Sequence, residues 1–219
     1  METRKIFAEA LGTAMLVIAV VGSGIMAERL SGGNTGVALL ANAIATGAAL
    51  NVLISILGPV SGAQFNPAVS LWLTLTGKQP LSTTTTFAIA QIFGGSFGAV
   101  VANLMFDLAA LQISGTSRGG TGQWLGECVA TFGLILTIAA SLRHRPENLA
   151  AAVALYITGA YWFTSSTSFA NPAVTVARIF SDSFAGISPA SVLPFIVAQL
   201  TGMAAAIGAW RLLDGDKAG

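Results

Sequence analysis

Six apolar stretches, none holding more than one charged residue, run through the 219 residues, at 7–27, 36–57, 85–105, 125–142, 149–163 and 192–212. A bilayer core of roughly 30 Å takes about 20 such residues per helix. The alternating segments of about ten residues that mark a membrane barrel are absent from the sequence. Soluble domains carry about 25% charged residues, whereas this chain has 9% charged and 54% hydrophobic residues. A water-exposed surface cannot be built from that composition. The pattern predicts an all-α membrane protein of six spanning helices forming one domain over 1–219. Arg4 and Lys5 before the first stretch would also suit a signal peptide, but Glu9 inside it argues against that reading.

The few charged residues narrow the function classes. A net charge of +1 gives no basic surface for nucleic acid. The single cysteine, Cys128, excludes an internal disulfide framework and a multi-cysteine metal site. His144 stands alone between Arg143 and Arg145, which leaves no histidine triad or metal cluster. Neither an enzyme nor a cofactor or metal centre is expected. With both termini cytoplasmic, the inside collects Arg4, Lys5, Lys78, Arg143, Arg145, Arg211 and Lys217, and the outside holds Arg29, Arg118 and Arg178. That bias obeys the positive-inside rule.

Two further apolar segments, 67–77 (PAVSLWLTLTG) and 172–182 (PAVTVARIFSD), hold eleven residues each. As helices they would reach only about 16 Å, half a membrane. Alone, each reads as an interfacial helix or a loop, and the Ser/Thr-rich run 164–168 reads as a plain linker.

An internal repeat decides between these readings. Ala8-Glu9-x-x-Gly12-Thr13 returns as Gly126-Glu127-x-x-Ala130-Thr131, and Asn66-Pro67-Ala68-Val69 as Asn171-Pro172-Ala173-Val174. Ala90-Gln91-x-x-Gly94 returns as Ala198-Gln199-x-x-Gly202, in the same order. The halves, about 1–110 and 120–219, hold three spans each. An odd number makes them enter the membrane from opposite sides, and inverted repeats place a functional site near the midplane.

The duplicated Asn-Pro-Ala boxes, with Ser61-Gly62-Ala63-Gln64-Phe65 before the first, closely resemble the major intrinsic proteins, the aquaporins and glycerol facilitators. The likeness runs from Glu9 to Gly202. It implies two re-entrant half-helices meeting mid-bilayer, and a homotetramer in membrane lipid with one pore per subunit passing water and small neutral solutes. For this chain the expected setting is a bacterial inner membrane. Elementary chemistry agrees at the boxes. Proline suits the first position of a helix, and Asn66 or Asn171 before it caps free N–H groups through its oxygen. The asparagine NH2 is then expected to face a passing solute, with two positive helix ends opposing cations.

Glu9 and Glu127 lie where carboxylates are costly and functional. The resemblance implies that they brace the re-entrant loops by accepting backbone hydrogen bonds. A proton relay is the other reading, and it would make the chain a proton-coupled secondary transporter. A third possibility is a structural membrane protein using the fold for adhesion. Asp107, at a helix end, is expected in solvent.

By the same resemblance the selectivity filter falls at Thr46, Gly159, Ser168 and Val174. Family members usually carry aromatic residues and an arginine there, and none occurs at these positions. The small residues imply a wide constriction, and Val174 removes a charge and five donors. The combination resembles the divergent bacterial branch of aquaglyceroporins associated with arsenical permeation, alongside glycerol-like solutes and water. Arg178, one turn beyond Val174, either charges the outer vestibule, pairs with Asp182, or snorkels to the interface. Phe169 or Phe163 could also narrow the pore. Gln64 occupies a position where many members carry histidine, so no pH gate is expected there.

Overall fold

The computed structural model describes residues 2–214, which excludes Lys217 from the structural account. Among these residues eight α-helices follow in order: α1 (Glu2–Leu30), α2 (Thr35–Ser61), α3 (Pro67–Leu75), α4 (Leu81–Met105), α5 (Thr121–His144), α6 (Leu149–Phe163), α7 (Pro172–Ala177) and α8 (Pro189–Asp214). No strand is found among the described residues. Five helices, α1, α2, α4, α5 and α8, are long and apolar enough to cross a membrane. The sixth, α6, has 15 residues and is preceded by a 3-10 turn, Pro146–Asn148.

Packing relies on small residues, as expected where lipid supplies no hydrophobic drive between helices. Helix α1 lies against α4, and α5 lies against α8. A Cβ added at Gly94 would collide with the carbonyl oxygen of Ala10, and one at Gly202 with that of Cys128. These two landmarks of the repeat therefore mark the same backbone approach in each half.

Helices α3 and α7 are shorter than the eleven-residue segments suggested. Gly77 takes φ +71°, and the Lys78 N–H donates to the Leu73 carbonyl at 2.8 Å, a left-handed turn that ends α3. Helix α7 loosens into the 3-10 turn Arg178–Phe180. Asp107 is exposed at the end of α4, also with positive φ.

Candidate functional site: a pore between two half-helices

Both boxes form as the sequence requires. The Asn66 Oδ1 accepts from the Ala68 N–H at 2.9 Å, and the Asn171 Oδ1 accepts from the N–H groups of Ala173 and Val174 at 2.9 and 3.2 Å. Pro67 and Pro172 occupy the first turns of α3 and α7. The NH2 groups are not wholly free, however. The Asn66 Nδ2 donates to the Ala170 carbonyl and the Asn171 Nδ2 to the Phe65 carbonyl, both at 2.8 Å. One N–H of each remains for a solute.

The loops entering the boxes hang on buried carboxylates. The Glu9 Oε1 accepts from the Gln64 N–H at 3.0 Å, and its Oε2 from the Phe65 N–H at 2.7 Å. The Glu127 carboxylate accepts the N–H groups of Phe169 and Ala170, each at 2.8 Å. Two glutamines complete the arrangement: the Gln91 Nε2 donates to Glu9 at 2.7 Å and the Gln199 Nε2 to Glu127 at 2.6 Å. Ala63, Phe65, Thr167, Ser168 and Ala170 take positive φ, a conformation that L-residues hold only when their surroundings impose it. The run 164–168 is thus no plain linker. Thr164, Ser166 and Ser168 are buried.

A cavity of about 220 Å³ passes between the boxes and is lined by both asparagines. Its apolar walls come from one-turn steps: Leu134, Ile138 and Leu142 on α5, and Val153, Ile157 and Tyr161 on α6. From Tyr161 to Leu149 the wall extends about 18 Å at 1.5 Å per residue. Glu9 and Glu127 are absent from this lining and fully buried.

Thr46, Ser168, Val174, Phe169 and Arg178 all line this cavity, with Arg178 lying over the Phe169 ring. Gly159 does not join them. The wall opposite Thr46 is Tyr161, whose Oη lies 3.2 Å from the Thr46 Oγ1. Phe163 is 58% exposed, packs edge-on against Tyr156, and stays off the wall. Gln64 donates to Gln79 at 2.9 Å and accepts from the Ser70 hydroxyl at 2.6 Å, fixing the loop beside the opposite mouth.

Arg178 neither snorkels nor pairs with Asp182. It is 2% exposed, and the exposed Asp182 accepts the Gly115 N–H at 3.0 Å instead. The Arg178 Nε donates to the Ala185 carbonyl, and its guanidinium carbon stands 3.4 Å from the Phe169 ring centroid. Among the described residues it alone borders both the main cavity and a second hollow of about 270 Å³. The four expected filter positions lack arginine, yet the cavity does not.

Long apolar helices packed around a cavity that is lined by the asparagines of two half-helices define a pore-forming membrane protein. Known proteins agree. The Major intrinsic protein family pattern matches residues 1–166, stopping short of the second box. The chain is 52% identical to "Aquaglyceroporin AqpS" of Rhizobium meliloti (strain 1021), over 96% of this chain and 90% of the relative. It is 28% identical to "Aquaporin AqpM" of Methanothermobacter marburgensis over 98% of both chains. The X-ray structure of the aquaglyceroporin from Plasmodium falciparum superposes with a TM-score of 0.77 at 20% identity, covering 96% of each chain. This chain belongs to the major intrinsic protein family. It is a multi-pass membrane protein of a family of passive channels for water and small neutral solutes, not an enzyme.

Proposed function

We propose that this channel passes solutes larger than water: neutral metalloid hydroxides or organic arsenicals, and glycerol-like polyols, together with water. The observation that carries this reading is that Thr46, Tyr161, Ser168 and Val174, one apolar side chain and three bearing hydroxyls, border the cavity. A neutral polyhydroxy solute can exchange its hydration for the Thr46 and Tyr161 hydroxyls while its less polar side passes Val174. Farther in, Asn66 and Asn171 each offer an N–H, and the positive ends of α3 and α7 oppose cations. The relative named as an aquaglyceroporin supports a solute range beyond water.

In this reading the Asn-Pro-Ala boxes belong to one channel domain of two inverted halves, about 1–110 and 120–219. The termini are cytoplasmic, the Arg178 end opens outward, and the membrane is a bacterial inner membrane. Apolar side chains exposed around the bundle, such as Phe93 and Phe97, suit lipid and the subunit faces of a homotetramer. A proton-coupled transporter has less support, because Glu9 and Glu127 are engaged by loop donors and stand off the cavity.

Stopped-flow light scattering on proteoliposomes tests the reading. Glycerol and arsenous acid fluxes should rise linearly with concentration and ignore an imposed proton gradient. Saturating, gradient-driven flux would establish the transporter instead, and absence of all flux would favour the structural role.

A further inference from the structure

Phe169 is flanked by two guanidinium groups, and one has no place in the filter expected from the sequence. Arg178 lies over the ring at 3.4 Å. Arg118, from the segment joining α4 to α5, has its guanidinium carbon 5.1 Å from the same centroid. Phe195 meets the ring edge-on at 5.3 Å, so the aromatic platform is fixed. The Arg118 Nε and Nη2 donate to the carbonyls of Gly186 and Phe184 at 2.8 and 3.0 Å. Among the described residues that leaves its Nη1 without a partner, and both Nη groups of Arg178 likewise.

Neither arginine forms an ion pair among the described residues, but the buried Glu127 carboxylate lies within electrostatic reach of both. Among the described residues the ion pair is Arg143–Asp214, at the other end of the bundle. The carboxylates near this mouth serve the backbone: Glu28 accepts the Phe184 N–H at 3.3 Å and Asp182 the Gly115 N–H. Both arginines border the hollow of about 270 Å³, which also exposes Thr35 and Thr167. Burial pushes the Arg118 guanidinium below its usual pKa, although an arginine stays charged across physiological pH. Two guanidinium groups with spare donors around one hollow match an acceptor-rich anion, since charge-assisted hydrogen bonds from a guanidinium to an oxyanion are strong.

We propose that this hollow is a binding site for a small tetrahedral oxyanion, held between Arg118 and Arg178, and that its occupancy obstructs the pore mouth. The site is separate from the set Thr46, Tyr161, Ser168 and Val174 and depends on the channel reading only for its flux readout.

The test uses the full-length protein with sulfate and inorganic phosphate as probes. In equilibrium dialysis, purified protein should bind labelled sulfate saturably, one per chain. R118Q and R178Q should each weaken binding about tenfold, the loss of a charge-assisted contact. In vesicles of known orientation, sulfate on the Arg118 side should lower water permeability, while chloride at matched ionic strength and osmolarity should not. Because Arg118 also ties down its loop, a measurement on the unmodified chain stands beside the variants. Sulfate should protect the half-buried Arg118 from phenylglyoxal, read by mass spectrometry.

Equal inhibition by chloride, binding that survives in R118Q/R178Q, or absence of protection would each overturn the site. Intact water flux with no sulfate binding would refute this site and leave the channel reading standing. Sulfate binding without water flux would do the reverse.

Discussion

Asn66 and Asn171 are tied to each other's loops: each side-chain NH2 donates at 2.8 Å to the carbonyl just before the other box. The two half-helices are therefore coupled through the functional side chains themselves. Asn171→Ala removes a cap worth about 1 kcal/mol and a cross-bond of about the same size. A lower melting temperature and reduced solute flux are expected together. Unchanged flux in N171A would mean that the cross-bond does not hold the pore open.

Glu9→Gln separates bracing from proton relay. The amide offers one acceptor where the carboxylate oxygens receive backbone N–H groups from Gln64 and Phe65. Leaving a buried donor unpaired costs about 1–3 kcal/mol. Thermal stability and flux should fall in parallel in E9Q and in E127Q. A fully stable E9Q protein that has lost flux would point to the relay.

Arg178 is expected to guard the mouth against cations. A unit charge about 4 Å away costs a cation about 4 kcal/mol at an effective dielectric of about 20. R178Q should therefore raise proton and sodium leak at least about tenfold, measured with a pH-sensitive dye and by electrical recording. Unaltered leak would remove Arg178 from the selectivity mechanism.

The glycine contact between α1 and α4 is structural. Gly94→Val drives a branched side chain into the Ala10 carbonyl, and such overpacking costs about 1–3 kcal/mol or more. G94V should reduce yield and melting temperature. A melting temperature equal to the parent's would show that the helices separate without penalty.

The spans and the two boxes were legible because each depends on local information: apolar length, a proline at the first helical position and an asparagine cap. The repeat carried more than was read from it. Gln91 and Gln199 were visible as matched landmarks, and their role became plain only once each lay against its glutamate. The family resemblance puts Gly159 in the filter, but the cavity face of α6 runs through Val153, Ile157 and Tyr161. Two residues from Tyr161 is about 200° around a helix, which turns Gly159 away. Arg178 could not be placed from spacing, because it follows the point where α7 relaxes into a 3-10 turn. Arg118 comes from a segment whose path is set by bonds to distant carbonyls.

Val174 offers the decisive test of whether the Thr46, Tyr161, Ser168 and Val174 side chains set the solute range. Glycerol and water permeabilities should be measured by stopped-flow on the same V174R proteoliposomes and compared with the parent chain. A long cationic side chain there narrows the pore more for a polyol than for water. The expected result is a fall of about tenfold or more in the glycerol-to-water ratio, the discrimination that about 1.4 kcal/mol supplies. Equal loss of both fluxes, with the ratio unchanged, would contradict the claim.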